Sequence, residues 1–349
     1  MPGVVDGVPL IIDCDTGIDD SLALLYACAS AEAQIVAVTC VGGNVDARQV
    51  AENTRAVLEL AGCEDVEVAL GREMPLVRPV QTTPETHGPR GLGYAELPPA
   101  RQPLSERHAA DLIVAEARAR PGELTLVTLG PLTNLAVAVL REPELPRLLR
   151  RWVLMGGAYR APGNTAPTVE WNIHCDPEAA KVAFTAWSDR VESRPVALGL
   201  DVTERAKFTP EHMVRLARRA GSQPEDATSH GAHDDRSVAS NPIVRFIADA
   251  LRFYMEFHSR YDGFYGAFIH DPLALAAALD PSLVRTEALT VDVELGGTLT
   301  TGETVTDWRR VWGRPPNVDV AVEANASVFL DRFIERVGGL AERLVNVAS

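Results

Sequence analysis

The 349-residue sequence lacks the features that would bind a polyanion or cross a membrane. Its formal net charge is −15, with 33 Lys and Arg against 48 Asp and Glu. Binding to nucleic acid instead depends on basic residues that displace counterions. No apolar run approaches the roughly 18 residues of a membrane helix, and the N-terminus lacks the basic and apolar regions of a signal peptide. We therefore expect a cytoplasmic protein with neither a nucleic acid nor a membrane as its partner.

Cysteine is scarce, and its placement argues against structural cross-links. There are five cysteines, they are scattered, and none forms a C-x-x-C pair. A structural zinc site or a disulfide framework is therefore not expected, and reduced thiols agree with a cytoplasmic location. A chain of this length can bury a large core without such cross-links. Because no internal repeat or clear boundary is visible, we predict a single domain over residues 1–349.

Short apolar runs alternate with segments of helical periodicity over most of the chain. The predicted strands are Val8–Ile12, Ile35–Val41, Leu124–Leu129, Trp152–Met155 and Pro195–Leu200, with added C-terminal strands at Ala288–Leu295 and Val318–Val322. The predicted helices are Asp20–Ser30, Ala47–Ala61, Ala109–Ala119, Leu132–Leu140 and Pro177–Trp187. This alternation predicts an α/β fold with a mostly parallel, Rossmann-like sheet and helices on both faces. Ligands of such folds bind beyond the carboxyl ends of the strands.

Three polar segments are predicted to be loops. They cover residues 78–103, 158–169 and 220–241, and they are rich in Pro, Gly or polar residues. The third is expected to be mobile or disordered. Loops of this length often act as lids, although a tolerated surface insertion explains the third one equally well.

Four aspartates lie within eight residues directly after the first predicted strand. They are Asp13, Asp15, Asp19 and Asp20, and the last two stand at the beginning of a predicted helix. One Asp at that position is explained by helix capping. Four neighbouring carboxylates repel one another and need a cation to compensate their charge. Since Ca²⁺ and Mg²⁺ prefer oxygen ligands, the cluster predicts a metal site.

The same stretch is open to a second interpretation. The segment from Asp13 to Gly17 partly resembles the D-x-D-x-T/V signature of haloacid-dehalogenase-type phosphatases, which use Mg²⁺. In that interpretation Asp13 is the phosphoryl nucleophile and Asp15 a general acid. Gly17 stands where that signature has Thr or Val, and the further Lys and acidic pair that such enzymes need are not evident.

A longer ordered set of motifs resembles the inosine–uridine-preferring nucleoside hydrolase family. It begins with D-x-D-x-G-x-D-D at Asp13 and continues with V-G-G-N at Asn44, H-G-P-R-G at His87 and L-G-P-L-T-N at Asn134. It then includes M-G-G-A at Met155, G-N-T at Asn164, V-E-W-N-I-H-C-D from Glu170 and Asn172 to Asp176, L-D-V-T at Thr203 and H-D-P-L-A at His270 and Asp271. The resemblance covers nearly the whole chain.

The residue types also suit a ribose, whose hydroxyls each donate and accept hydrogen bonds. Carboxylates and amides are suitable partners for these groups. Glu170 and Asn172 alternate around Trp171, so we expect both to point to one side of an extended segment; Trp171 then faces the core. His270, Asp271 and Pro272 are predicted to begin a helix, with Asp271 as its cap. His270 is suited to proton transfer near neutral pH.

The family resemblance implies a role for each matching residue. Asp15, Asp20 and Asp271 would bind Ca²⁺ through their side chains, and the backbone carbonyl of Leu129 would add a ligand. Asp19 would hold the 2′-hydroxyl of the ribose, Asn172 the 3′-hydroxyl, and Asn164 with Glu170 the 5′-hydroxyl. Further substrate contacts would come from Asn44, His87, Met155 and Asp271, while Asp13 would support the cluster from behind. Tyr261 and Tyr265 would either close over the base or fill the core.

The activity that the resemblance implies is hydrolysis of ribonucleosides to ribose and free base, a step in nucleoside salvage. Asp15 would take the proton of a Ca²⁺-bound water, and His270 would protonate the departing base. The enzyme would be a homodimer or homotetramer, and its base preference, purine or pyrimidine, stays open. Two alternatives are the Mg²⁺ phosphatase and a ribonucleoside-binding protein without turnover, although intact Asp15 and His270 argue against the latter.

Overall fold

An eight-stranded sheet forms the centre of the fold in the computed structural model, which describes residues 7–188, 193–224 and 236–348. The strands lie in the order β3 (Glu67–Leu70), β2 (Ala33–Cys40), β1 (Val8–Cys14), β4 (Thr125–Thr128), β5 (Arg151–Met155), β6 (Val196–Leu198), β12 (Val318–Ala324) and β9 (Val284–Leu289). All neighbouring pairs are parallel except β12 and β9, which are antiparallel. The predicted mostly parallel α/β sheet is confirmed.

Smaller strand pairs and the helices surround this sheet. The pairs join β7 (Lys207–Phe208) to β8 (Ala267–Phe268) and β10 (Val291–Val293) to β11 (Thr304–Thr306). The helices are α1 (Ile18–Ala29), α2 (Ala47–Leu60), α3 (Pro84–His87), α4 (Ala109–Ala119), α5 (Thr133–Arg141), α6 (Leu145–Leu148), α7 (Trp171–Cys175), α8 (Pro177–Ala186), α9 (Leu200–Thr203), α10 (Pro210–Arg219), α11 (Pro242–Tyr261), α12 (His270–Leu279) and α13 (Ala326–Ala348). No helix in the described part of the chain is both long and apolar enough to span a membrane.

Two hydrophobic cores lie on opposite faces of the sheet. Leu10 and Ile12 of β1 belong to one core, whereas Ile11 belongs to the other. Successive side chains of a strand point to opposite faces, so a strand that is apolar throughout is buried on both sides. Helices α1, α2, α12 and α13 cover the first core, and α4, α5 and α8 cover the second. The predicted helices on both faces are therefore present.

The strand register brings three loops to one edge of the sheet. Asp13 of β1 pairs with Thr128 of β4, and Thr128 pairs with Leu154 of β5. The residues that follow these strands therefore leave the sheet side by side. The chain order also reverses at β1, which lies between β2 and β4. This is the position at which parallel α/β sheets form ligand sites.

Some local predictions were wrong. The segment after Glu170 is not extended, because Glu170 caps α7, and Trp171 lines a cavity rather than facing the core. The strand predicted at Ala288–Leu295 is divided between β9 and β10, which belong to different sheets. Helix α12 is capped by Ile269, so Asp271 lies within its first turn.

The predicted loops have mixed outcomes. The segment 78–103 contains the short helix α3, and the segment 158–169 is irregular apart from a bridge between Ala166 and Val169. The central part of the third predicted loop, residues 225–235, lies outside the described residues.

Candidate active site

A cavity of about 490 Å³ opens at the carboxyl ends of the parallel strands. Most of the residues singled out in the sequence line it: Asp15, Asp19, Asn44, His87, Leu129, Met155, Asn164, Glu170, Asn172, His270 and Asp271. Asp20 lies behind the lining and is fully buried. These residues come from eight separate segments of the chain, which the sheet edge brings together.

The loop between β1 and α1 is held in place by Asp20. Its carboxylate accepts hydrogen bonds from the backbone N–H of Asp15, at 3.2 Å, and of Gly17, at 2.9 Å. The amide Nδ2 of Asn44 donates a further bond to it, at 3.2 Å. Gly17 caps α1, so Asp20 satisfies the free N–H groups that precede the helix. This arrangement fixes the backbone from which Asp15 and Asp19 project.

Three carboxylates converge behind and beside the cavity floor. One oxygen of each of Asp19, Asp20 and Asp271 lies within 4.8 Å of the others, and all three residues are buried. Burial and the neighbouring negative charges raise the pKa values of Asp19 and Asp271 well above the usual range. Burial also raises the pKa of Asp20, against the N–H groups that lower it. Such a group of oxygen atoms fits a hard divalent cation.

Asp15 lies beside the three converging carboxylates of Asp19, Asp20 and Asp271 but is not one of them. Its Oδ2 accepts the backbone N–H of Asn44 at 2.8 Å, and its buried Oδ1 has no hydrogen-bond partner among the described residues. Burial, followed by the charge of Asp20, raises the pKa of Asp15 well above its usual range. A Cβ at Gly43 or Gly130 would overlap its carboxylate. The two glycines therefore leave the space that Asp15 occupies.

Asp13 is buried beneath the site and does not line the cavity. Its Oδ1 accepts hydrogen bonds from Thr39 Oγ1 at 2.5 Å and Asn134 Nδ2 at 2.8 Å. Burial raises its pKa to about 7, against these two hydrogen bonds. A phosphoryl nucleophile must reach its substrate, so this position argues against the phosphatase interpretation.

Asn172 links two strand ends at the cavity floor. Its Nδ2 donates to the backbone carbonyl of Leu129 at 2.6 Å and of Met155 at 3.3 Å. A carbonyl oxygen has two lone pairs, so the Leu129 carbonyl can accept this bond and still offer a ligand to a cation. The side-chain oxygen of Asn172 is left for another partner.

The carboxylate of Glu170 is already engaged with the backbone. It accepts N–H groups from Gly157 and Asn172, each at 2.9 Å, and from Ile173 at 3.2 Å. Burial raises its pKa, and these three hydrogen bonds oppose the rise. Asn164 accepts the N–H of Trp171 through Oδ1 at 3.0 Å, which leaves its amide hydrogens for a ligand. Both residues line the cavity while holding the beginning of α7.

The two predicted histidines lie in the cavity, and burial lowers the pKa values of both. Burial, followed by the nearby rings of His258 and His87, lowers the pKa of His270 to about 3. Burial, followed by His258, likewise lowers the pKa of His87 to about 3. Burial therefore favours the neutral form of both rings, and the proton-transfer role expected of His270 stays a prediction.

An aromatic wall of the cavity was predicted from the sequence only at Tyr261, and its other members were missed. Helix α11 contributes Tyr254, Phe257, His258 and Tyr261, and Asp262 follows directly after it. The spacing of these residues places them on one side of a helix, which is the signal that was available in the sequence. Tyr261 is 62% exposed at the cavity, whereas Tyr265 does not line it. Glu204 and Phe268 complete this side.

Comparisons with known proteins agree on one family. Residues 10–331 match the family model of the inosine-uridine preferring nucleoside hydrolases. The chain is 37% identical to the inosine-uridine preferring nucleoside hydrolase of Leishmania major, over 94% of this chain and 98% of that protein. It is 36% identical to the pyrimidine-specific ribonucleoside hydrolase RihA of Salmonella gallinarum, over 95% and 98%. A purine-preferring ribonucleoside hydrolase from Gardnerella vaginalis has a similar structure, with a TM-score of 0.84 and 30% identity over 96% and 99%.

Proposed function

Because the chain belongs to the inosine-uridine preferring nucleoside hydrolase family and is a nucleoside hydrolase, we propose that it cleaves ribonucleosides with a Ca²⁺ ion bound at the cavity floor. The products are ribose and a free nucleobase. The observation that carries this proposal is the convergence of carboxylates from the β1–α1 segment and from α12 beside a cavity of nucleoside size.

The carboxylate group fits a hard cation on three counts. The oxygens of Asp19, Asp20 and Asp271 lie close together, their surroundings are buried, and Asp15 Oδ1 beside them lacks a partner. We propose that Asp15, Asp20 and Asp271 hold the ion through their side chains and Leu129 through its carbonyl, with Asp19 close to the same ion. When bound, the ion supplies a positive charge that compensates these acids and polarises oxygen atoms near it.

Asp15 is proposed as the group that accepts the proton of the attacking water. Its Oδ2 is fixed by the Asn44 N–H, so the free Oδ1 is the available acceptor. As the C1′–N bond breaks, positive charge develops on the ribose, and water attacks the face opposite the departing base. Asp15 keeps that water in reach and becomes protonated as the new C–O bond forms.

The ribose is proposed to be held by side chains at the cavity floor. Asp19 accepts the 2′-hydroxyl and Asn172 contacts the 3′-hydroxyl through its free oxygen, while Asn164 and Glu170 face the 5′-hydroxyl. Asn44, Met155, Asp271 and His87 complete the substrate contacts. This orientation contributes to the rate because reacting groups that are already positioned avoid the entropic cost of meeting. His270, which also lines the cavity, is proposed to give the departing base its proton.

The base preference is a matter for direct measurement. The relatives named above are inosine–uridine-preferring, pyrimidine-specific and purine-preferring, so family membership does not select a base. The aromatic wall from α11 offers flat apolar surfaces that suit any of them. The family resemblance also supports a homodimer or homotetramer of single-domain chains in the cytoplasm. Size-exclusion chromatography with light scattering measures the assembly.

The test is release of reducing sugar from a panel of nucleosides. Protein treated with EDTA and then supplied with CaCl₂ is assayed on adenosine, guanosine, inosine, uridine, cytidine and 2′-deoxyinosine. We expect ribose release that depends on CaCl₂, with a weaker reaction on the deoxynucleoside, which lacks the hydroxyl assigned to Asp19. Asp65→Asn, at an exposed site far in sequence from the cluster, serves as the control variant.

Two other outcomes would overturn the proposal. Phosphate release from an aryl phosphate without any ribose release would favour the Mg²⁺ phosphatase, which the buried position of Asp13 already disfavours. Tight binding of ribonucleosides without turnover would identify a binding protein. Full activity after exhaustive EDTA treatment would remove the cation from the mechanism.

A further inference from the structure

The walls of the cavity carry several carboxylates but no Lys or Arg side chain among the described residues that line it. Seven Asp and Glu residues line the cavity. Four of them, together with the buried Asp20, are assigned above to the proposed ion or to the ribose. The three that have no role in that assignment are Glu85, Glu204 and Asp262.

Glu204 and Asp262 lie on the side of the aromatic wall. Asp262 follows α11 directly, and burial, followed by the charge of Asp262, raises the pKa of Glu204, so the two carboxylates are near each other. The wall residue Tyr254 is close both to them and to the cavity floor. Burial, followed by the charges of Asp19 and Asp271 and then by Asp262, raises the pKa of its phenol. A ribose held at the floor therefore directs its base towards Asp262 and Glu204.

The charge of Glu204 is not compensated by a direct partner. Its carboxylate forms no hydrogen bond or ion pair within the described part of the chain, and Lys207 only partly opposes the rise of its pKa. Lys207 does not line the cavity. Its Nζ instead lies over the rings of Phe264 and Phe268, 4.8 Å and 5.5 Å from their centroids. The carboxylate of Glu204 is therefore available to a positive group inside the cavity.

His258 adds a buried acceptor to the same wall. Its Nδ1 lies 2.7 Å from Asp262 Oδ2, so the neutral ring donates its hydrogen there and has a lone pair on Nε2. Burial lowers the pKa of His258 and favours this neutral form, although Asp262 opposes the shift. The residue is 4% exposed, and Nε2 has no partner among the residues that the structure describes. Since such an atom is costly to leave unpaired, it points to a ligand that brings a donor or a positive charge.

The aromatic rings themselves suit a positively charged ring. Tyr254 and Phe268 flank His258, with ring centroids 4.5 Å and 4.8 Å from its own. The face of an aromatic ring carries negative potential and attracts a cation. Phe268 already attracts the ammonium group of Lys207 in this way. A flat cationic base can therefore stack on this wall while its charge faces the two carboxylates.

We propose that the cavity favours ribonucleosides whose base carries a permanent positive charge, with Glu204 and Asp262 compensating that charge. This inference rests on the proposed hydrolysis of nucleosides and names a substrate class for it. Pyridinium ribosides and ribosides of N-alkylated purines belong to this class. Neutral nucleosides also bind, because the ribose contacts at the floor do not depend on the base.

The reaction of such a substrate balances without adding a proton to the base. The C1′–N bond breaks, and its electron pair neutralises the ring nitrogen, so the base departs as a neutral molecule. C1′ gains the oxygen of water, whose proton goes to Asp15 and then to solvent. The sum is cationic nucleoside plus water giving ribose, neutral base and a proton.

The carboxylates of the wall should act on KM more than on kcat. They attract the cationic base in the bound substrate, and they also attract the positive charge that moves to the ribose as the bond breaks. An interaction made in both states strengthens binding without lowering the barrier between them. A loss of Glu204 should therefore appear as a higher KM for cationic substrates.

The experiment compares nicotinamide riboside, a permanent cation, with uridine, a neutral nucleoside that also has a single-ring base. Protein supplied with CaCl₂ is assayed as wild type, as Glu204→Gln, which removes the charge, and as Glu204→Lys, which reverses it. We follow the ratio of kcat/KM on nicotinamide riboside to kcat/KM on uridine. We expect this ratio to fall about fivefold in Glu204→Gln and about 25-fold in Glu204→Lys, mainly through KM. Raising NaCl from about 25 mM to about 300 mM should reduce both effects.

Glu106→Gln and Glu106→Lys are the matched controls. They make the same changes in net charge at an exposed residue that does not line the cavity, so the ratio should stay at the wild-type value. If a Glu204 variant does not fold, as judged by circular dichroism, Asp262→Asn takes its place. Its amide oxygen can still accept the hydrogen of His258 Nδ1, whereas the charge is removed, so the ratio should again fall.

The failure modes are distinct. An unchanged ratio in Glu204→Lys, or a fall that comes from kcat alone, would overturn the role of the wall carboxylates. Hydrolysis of uridine or inosine without hydrolysis of nicotinamide riboside would overturn the proposed substrate class while leaving nucleoside hydrolysis intact. Absence of ribose release by the wild-type protein on every nucleoside would instead overturn the proposed function itself.

Discussion

Without the proposed calcium ion, the folded protein should become less stable as the pH rises. The pKa values of Asp15, Asp19 and Asp271 are raised in the folded chain above the ordinary value of 3.8. Their protonated forms therefore contribute stability that is complete below pH 3.8 and is lost as the pH rises through the folded-state pKa values. A bound cation reverses this trend, because it compensates the ionised carboxylates.

The geometry sets the size of the effect. For two unit charges 4.8 Å apart, the upper limit within the cluster, Coulomb's law gives about 3 kcal/mol at an effective dielectric constant of about 20. Calcium at about 100 times its Kd would stabilise the folded state by about 3 kcal/mol. With an unfolding entropy of about 2 cal/mol/K per residue for 349 residues, this corresponds to a rise in Tm of about 4 °C.

The assay is thermal unfolding followed by circular dichroism at several pH values between 5 and 8. In EDTA we expect Tm to fall as the pH rises, and in saturating CaCl₂ we expect the fall to be reduced or absent. Asp271→Asn should lose most of the calcium-dependent rise, because it removes one of the three converging charges. The exposed Asp65→Asn should keep the wild-type response.

Two results would refute this reasoning. The first is a Tm in EDTA that rises between pH 5 and 8, since the buried acids would then be stabilised as anions by groups within the protein. The second is an undiminished calcium response in Asp271→Asn, since the ion would then bind elsewhere.

Three further substitutions test the site residue by residue. Asp15→Asn should reduce kcat about 10³-fold or more on nucleosides, because it removes the proton acceptor and weakens a cation ligand together, and steady-state kinetics measures this loss. Gly43→Ala should lower kcat/KM about 100-fold while the chain still folds, because the new Cβ displaces the Asp15 carboxylate. Glu170→Gln should lower the free energy of unfolding, measured by urea titration, by about 1–3 kcal/mol. The carboxylate of Glu170 accepts hydrogen bonds from backbone N–H groups, whereas the amide nitrogen of a glutamine would face these donors without accepting from them.

Two of these substitutions have a control of their own, and each of the three has an opposing result. Gly296→Ala adds a Cβ at an exposed glycine where the contact is ordinary, so activity should be kept. Glu106→Gln makes the same chemical change as Glu170→Gln on an exposed residue. Near-normal activity of Asp15→Asn would remove it as the base. An active Gly43→Ala would mean that the position of Asp15 is not critical, and an unchanged unfolding energy for Glu170→Gln would mean that its capping bonds contribute little.

Local sequence pattern was sufficient for the main α/β elements. Val8–Ile12 is apolar throughout because β1 is covered on both faces, and the helix predicted at Ala109–Ala119 has the observed bounds. The sequence pattern gave a wrong prediction where a side-chain hydrogen bond sets the backbone conformation. The residues after Glu170 alternate like a strand, yet the carboxylate of Glu170 caps two N–H groups and begins α7.

The candidate site could be predicted from the sequence because its acidic residues are close together in the chain and its motifs occur in the order typical of the family. Asp15, Asp19 and Asp20 follow one strand, and such residues must emerge at the ligand edge of a parallel sheet. Most of the aromatic wall could not be predicted in the same way. His258 is one of several apolar and aromatic residues at helical spacing on α11, and this pattern is equally typical of a helix that packs in a core.

The amino-acid sequence alone predicts the fold class, the acidic edge of the sheet and the family, because periodicity and ordered motifs are properties of neighbouring residues. Tertiary packing, in contrast, sets which carboxylates converge and places Asp13 beneath the site. Asp271 is separated from Asp20 by 251 positions in the chain, and their contact depends on the packing of α12 against α1. Burial and hydrogen-bond partners, which set the protonation of each ring and acid, arise only when distant segments come together.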